Sequence, residues 1–284
     1  MENLESRRSD PSWSVMQRLR FIEFRLSWDG RINRGDIIEV FGVSVPQASL
    51  DLREYMDRAP GNVEYDKSRK SYFAVPAFKP VFTNPTAENY FAQLTMSGHD
   101  ESSSGLHGVL NFTPPFDVLP SPERRMDFST LRTIVQAIKA KEAIEIKYQS
   151  ISTDLAGWRW IEPHALASDG MRWHVRAYCQ HRLAFRDFVL GRILDTRGKR
   201  PSDMSPESDK EWNDHLRLII AANPGLAAGQ REIIERDYAM ENGKAEIVVR
   251  RALLFYLKRR LGVDDGANQS PSAQQIIIVD TVPM

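Results

Sequence analysis

The chain has 284 residues, 42% hydrophobic and 27% charged, which is the composition of ordinary globular domains and enough length for two or three of them. The 38 Lys and Arg balance the 38 Asp and Glu, so bulk charge announces neither a nucleic-acid coat nor a membrane surface. A single cysteine, Cys179, excludes an intramolecular disulfide, fits a reducing cytoplasm and reads as a buried structural thiol. The polar start MENLESRRSDPSW has no apolar signal core, and no apolar run nears the ~20 residues of a membrane helix.

The balanced total hides a distribution. Residues 1–79 hold 13 basic and 12 acidic side chains, 80–122 none and 4, 123–200 15 and 9, and 201–284 10 and 13. Any DNA-binding face in the first part must therefore segregate its basic residues, and the surplus in the third part suits an anionic ligand.

Residues 14–28 repeat apolar side chains at Val15, Leu19, Ile22 and Leu26, a helical spacing. A short helix follows at 34–41 and stops at Gly42. Ser44 then caps a third helix, with Pro46 in its first turn, which runs until Ala59-Pro60-Gly61. Asn62–Tyr65 and Ser71–Val75 form a hairpin with the basic tip Asp66-Lys67-Ser68-Arg69-Lys70. This order is that of a winged helix-turn-helix. Ser44, Val45, Gln47, Ser49 and Arg53 would meet DNA from the recognition helix, Val43 and Leu50 would set the interhelical angle, and Lys67, Arg69 and Lys70 would touch phosphates from the wing.

Residues 80–126 read as a proline-rich linker with one helix around 86–96 and a polar loop at 97–105. The third part, 127–200, opens with an amphipathic helix at 127–141. Strands follow at Ala143–Gln149, Trp158–Glu162, Arg172–Cys179 and Ala184–Leu194, which point to a small bent sheet or barrel. In it Arg172, Arg176, Arg186 and Arg192 supply guanidinium groups suited to phosphate. If the strands are adjacent, Arg176 and Tyr178 share a surface with Arg186, Phe188 and Arg192, while Trp173 reads as core. In 201–284, helices at about 210–222 and 251–261 alternate with strands at 230–239, 245–250 and 274–280, a small α+β unit.

The pieces Ile144-Glu145-Ile146-Lys147-Tyr148, Glu162-Pro163-His164, Arg172 to Tyr178 and Phe185 to Ile193, in this order, resemble the WYL domain of bacterial regulators. Gly42 to Leu52 and Val248 to Leu257 resemble the helix-turn-helix and C-terminal extension of one branch, the BrxR/CapW-type repressors encoded beside phage-defence systems such as BREX and CBASS. The resemblance implies an Sm-like β-barrel with a basic pocket for a nucleotide or nucleic-acid ligand, and a homodimer formed through the C-terminal domain. Its pocket positions here would be Tyr148, Ser150, His164, Arg172, Arg176, Tyr178, Arg186, Phe188 and Arg192. The name-giving Trp-Tyr-Leu is Trp173-His174-Val175 in this chain, and Gly191 stands where the family often has Ser.

The resulting expectation is an α+β protein with an N-terminal winged helix-turn-helix, a WYL barrel and a small C-terminal dimerisation domain, binding an inverted-repeat duplex and needing no cofactor. No P-loop, dinucleotide fingerprint or HExxH occurs, and the six histidines lack metal-ligand spacing, so neither a metal nor an enzyme is expected. The alternative is an RNA- or single-strand-binding module that uses the barrel directly.

Overall fold

A computed structural model describes residues 11–98, 112–119, 122, 124–263 and 270–284, which cluster into two compact units, Met1–Pro120 and Ser121–Met284. Part of the expected 97–105 loop lies outside the described residues. Among those described, no helix is long and apolar enough to cross a membrane, and no three His, Cys, Asp or Glu side chains gather as a metal site.

The first unit holds α1 (Trp13–Asp29), β1 (Arg31–Ile32), α2 (Arg34–Phe41), α3 (Val45–Arg58), β2 (Val63–Asp66), β3 (Ser71–Ala74) and α4 (Ala87–Gly98). Leu19, Ile22 and Leu26 line one face of α1 and close with Ile37, Ala48, Leu52 and Tyr55 into one core. The boundaries follow local chemistry. Asn33 and Asp36 form a reciprocal capping box at the start of α2, and Gly42 ends that helix at φ +63°, a conformation that disfavours a side chain. The two-residue β1, which the sequence does not announce, pairs with β3 to give the order β1-β3-β2. Leu50 does not set the interhelical angle as expected. It is 55% exposed, and Ala48 and Leu52, one turn apart on the other face, are buried instead.

The segment after the hairpin is bound to this unit by a buried carboxylate. Glu23 is fully buried on α1 and accepts hydrogen bonds from the backbone N–H groups of Val81, Phe82 and Thr83 at 2.6–2.7 Å and from the Thr83 hydroxyl. Such charge-assisted bonds offset the cost of burying the ion. The Tyr55 hydroxyl beside it is pushed up to about 12 by burial and by the Glu23 charge.

The second unit begins with α5 (Phe128–Ala140), capped by Asp127, whose carboxylate accepts from the Thr130 N–H at 2.8 Å. β4 (Glu142–Tyr148), β5 (Gly157–Ser168), β6 (Trp173–Cys179), β7 (Ala184–Val189) and β8 (Ile193–Pro201) form one antiparallel sheet in the order β7-β6-β5-β4-β8. The expected single strand 184–194 is broken by the 3-10 turn Leu190–Arg192, and the expected short strand 158–162 falls in the first half of a twelve-residue one. β7 and β8 are opposite edges of the sheet, yet only that three-residue turn joins them. Five flat strands would separate their edges by roughly 19 Å, beyond the ~15 Å that four Cα–Cα steps can span. The sheet must therefore curl around its core of Ile144, Ile146, Ile161, Val175, Ala177 and Phe188. Its hydrogen bonding does not close into the expected barrel, because β7 and β8 do not pair.

The rest comprises α6 (Lys210–Asn213), β9 (His215–Ala222), α7 (Ala228–Asp237), β10 (Ala245–Arg250), α8 (Leu254–Arg260) and β11 (Ile276–Pro283), with sheet order β10-β9-β11. Two expectations reverse here. The helix expected over 210–222 is largely β9, where Leu216, Leu218, Ile220 and Ala222 alternate inward with period two. The strand expected over 230–239 is largely α7, opened by Gln230, whose side chain accepts from the Ala227 N–H, and resting on the core through Ile234.

Candidate functional site

Three groups of predicted site residues reach the surface or interior in different ways. The first is the recognition helix. The Ser44 hydroxyl accepts from the Gln47 N–H at 3.3 Å and starts α3. Val45 and Leu50 are over half exposed and Arg53 is exposed, so α3 presents an outward stripe of mixed chemistry. Ser49 is half-buried and donates to the Val45 carbonyl at 2.9 Å. Gln47 is held rather than free. Its amide donates to Asp51 at 3.0 Å, and Asp51 is buried and paired through both oxygens with Arg18 at 2.7 and 3.1 Å. That pair fixes α3 against α1 and aims the first turn. Leu50, which the sequence reading placed between the helices, joins the outward stripe. Its apolar type masked an exposed position.

The second group is the wing. The Asp66 carboxylate accepts from the Ser68 hydroxyl and from the N–H groups of Ser68 and Arg69, which lowers its pKa and shapes the turn. Lys67, Arg69 and Lys70 are exposed at the tip, with Lys70 at φ +50°. The Arg69 guanidinium lies 5.3 Å from the Phe73 ring centroid and 3.7 Å from Asp66.

The third group is divided by the structure. β6 and β7 are adjacent, but their register pairs Arg176 with Asp187 and Ala177 with Arg186, so Arg176 and Arg186 occupy opposite faces and do not share a surface. Tyr148 and Phe188 lie in the sheet core, ring centroids 5.1 Å apart, with the Tyr148 hydroxyl accepting from the Val189 N–H. Ser150 is half-buried and bonds Ser152 at 2.9 Å. Tyr178 is half-buried against Phe185. Arg186 is exposed at the sheet edge.

Arg176 is 3% exposed and fully engaged: Nε and Nη2 donate to Asp209 at 2.7 and 2.9 Å, Nη2 also to Glu211 at 2.8 Å, and Nη1 to Asp187 at 3.3 Å. His164 reaches the same Asp209 at 2.9 Å. Burial alone would raise the Asp209 carboxyl, but hydrogen bonds from Arg176 and His164 hold it below its ordinary value. The Tyr256 hydroxyl on α8 donates to Asp187, and burial together with that carboxylate raises its pKa. This cluster joins the sheet to α6 and α8.

Arg172 and Arg192 are placed differently. Both line a cavity of about 330 Å³ together with Arg124, Arg125, Trp173 and the Leu190–Gly191 turn. Among the described residues, four arginines and no carboxylate-bearing residue line it. None of the four makes an ion pair or side-chain hydrogen bond with a described residue. Trp173, expected in the core, is 52% exposed beside this cavity, because it is the first residue of β6 and projects beyond the core. Arg124 and Arg125 line the cavity but are not among the positions expected from the sequence. Their only sequence signal is a basic pair after a stretch, 80–122, that has no basic residue.

Family comparison matches three segments of the chain. Residues 14–96 match the BrxR transcriptional regulator winged helix-turn-helix domain, 129–197 the WYL domain, and 215–282 the BrxR transcriptional regulator C-terminal dimerization domain. Fold and matches together define a winged helix-turn-helix regulator with a WYL domain and a BrxR-type C-terminal domain. More narrowly, the chain belongs to the CapW family. It is 39% identical over 273 residues to the DNA-binding transcriptional repressor CapW of Escherichia coli (strain KTE188), covering 95% of this chain and 91% of that one. CapW of Pseudomonas aeruginosa gives the same identity and coverage, and CapW of Stenotrophomonas maltophilia is 37% identical over 276 residues, covering 94% and 90%. A superposition on proteasome accessory factor B/C (PafBC) of Arthrobacter aurescens covers 99% of this chain and 48% of that one, about half its length, with a TM-score of 0.27 at 16% identity.

Proposed function

We propose that this protein is a homodimeric DNA-binding transcriptional repressor of a phage-defence operon, released from its operator by a nucleotide or nucleic-acid ligand at the WYL domain. The observation that carries the DNA-binding reading is the capped helix α3. It is pinned by Arg18–Asp51 and turns Val45, Leu50 and Arg53 outward beside a wing tipped by Lys67, Arg69 and Lys70. An anchored helix N-terminus with polar and apolar side chains matches the base edges of a major groove, and a cationic wing matches phosphates. Homology to proteins named DNA-binding transcriptional repressors supports the direction of regulation. Dimerisation is supported by the C-terminal family match and sets two α3 helices on inverted half-sites.

Ligand control is supported by the arginine cavity. Its volume of about 330 Å³ suits a mononucleotide-sized group, its guanidinium groups suit phosphate, and Trp173 offers a face on which a base can stack. A ligand there releases DNA only if it binds the DNA-incompetent arrangement more tightly. A gel-shift titration on the DNA upstream of the protein's own gene tests the reading. Wild type is expected to bind that DNA over an unrelated duplex, and Arg53→Ala to lose ten- to a hundredfold in affinity. Weak, sequence-indifferent duplex binding that Arg53→Ala leaves unchanged, with preference for single strands, would move the function to the curled sheet.

A further inference from the structure

We infer that the connector Arg124–Met126 is itself one wall of the ligand site, with Arg124 and Arg125 binding phosphate and Gly191 acting as the seat that holds the connector in place. This rests on the proposed ligand reading of the cavity and adds the residues that would transmit occupancy.

Three observations carry it. First, Arg124, Arg125 and Met126 line the same cavity as Arg172, Arg192 and Trp173, although residues 97–128 fall between the winged-helix and WYL family matches. Second, four arginines line this one cavity and, among the described residues, no carboxylate lines it and no acidic side chain pairs with any of the four. Four like charges around one small space repel one another, and a bound polyanion removes that repulsion. Third, the connector backbone is closely packed. A Cβ built on Gly191 would stand 2.8 Å from the Arg125 carbonyl oxygen, too close to tolerate without moving backbone. Glycine at 191 is therefore what lets the connector lie against the Leu190–Arg192 turn. The departure from the serine frequent at this position has a physical counterpart: a side chain here and this path of the connector are incompatible.

The consequence is a route for control. The chain reaches the sheet from the winged helix only through residues 97–127, so a ligand that grips Arg124 and Arg125 also grips the tether of the DNA-binding unit. The fitting ligand is a short phosphate-bearing species with at least one stackable base, such as the phosphorylated end of an oligonucleotide or a mononucleotide.

Titration calorimetry with 5′-phosphorylated dithymidylate, alongside inorganic pyrophosphate, tests this on the full chain. Wild type should bind the dinucleotide. Arg192→Ala and the pair Arg124→Ala/Arg125→Ala should each weaken binding on the order of tenfold or more, with unchanged thermal melting. Gly191→Ser should weaken binding while leaving all four arginines in the sequence. Trypsin adds a readout independent of affinity: saturating dinucleotide should protect the bonds after Arg124 and Arg125 in wild type but not in Arg192→Ala. Binding by wild type that is lost in Arg192→Ala but retained in the connector pair and in Gly191→Ser, with no protection, would overturn the connector assignment and leave the cavity reading standing. Failure of wild type to bind either probe at millimolar concentration would overturn the cavity reading, and the connector assignment with it. Equal binding of pyrophosphate and dinucleotide would restrict the site to phosphate and remove the stacking role of Trp173.

Discussion

Arg176 and Arg192 come from the same basic stretch of sequence, yet the structure gives them opposite circumstances. Arg176 is 3% exposed and held by Asp209, Asp187 and Glu211, so its charge is already neutralised by the chain. Arg192 sits on a turn at a cavity that three other arginines and, among the described residues, no carboxylate line. Residue type and position in the motif do not separate these roles. What separates them is the presence of internal acids: a cation that the protein has paired holds the fold together, and one with no acidic partner among the described residues is available to something outside.

The largest expected effect lies on the paired side. Asp209→Asn leaves the buried Arg176 short of its bidentate partner and should lower unfolding stability by ~3 kcal/mol, read by denaturant melts. A change under about 0.5 kcal/mol would place Arg176 among the dispensable surface charges and break the contrast. The pH dependence follows from the same pair. Because the folded carboxyl of Asp209 titrates below its ordinary value of 3.8, its stabilisation is present above that value and is lost as pH falls through the lower folded one. Glu162 and Asp169, also lowered, add to the same acid limb. Acid titration of wild type against Asp209→Asn should show a shallower loss of stability below about pH 4 in the variant.

On the unpaired side the effects are smaller and of another kind. Arg172→Ala should change stability by less than ~0.5 kcal/mol while weakening a phosphorylated dinucleotide by ~1.5 kcal/mol, measured by melts and calorimetry on the same preparations. A large loss of stability with unchanged binding would reverse its assignment. The wing offers the finest test. Lys67→Ala and Lys70→Ala should each reduce the slope of log affinity against log salt on operator DNA by about one, with little change in sequence preference. An unchanged slope would show that the exposed cation meets no phosphate.

Much of this was readable in the sequence where the controlling interaction is local. Ser44, Gly42 and the basic hairpin tip mark the helix-turn-helix and wing because caps, stops and turns are decided within a few residues. The curled sheet was legible as strands but not in its breaks, since the turn at Leu190–Arg192 depends on bridging two sheet edges. β9 and α7 were exchanged because short apolar segments carry little period and their tertiary partners decide them. The site was least legible where pairing is distant. The acid that removes Arg176 from the pocket is Asp209, 33 positions along the chain, and Arg124 and Arg125 enter it from outside the motif that pointed to Arg172 and Arg192.

The most direct test of the contrast is a gel shift in which promoter DNA bound to wild type, Arg192→Ala and Arg53→Ala is titrated with 5′-phosphorylated dithymidylate. The expected result is release of DNA from wild type, retention by Arg192→Ala across the same concentrations, and no complex with Arg53→Ala at the outset. Retention of DNA by wild type at saturating dinucleotide, or identical release from wild type and Arg192→Ala, would contradict the claim that the cavity arginines are where an anionic ligand controls DNA binding.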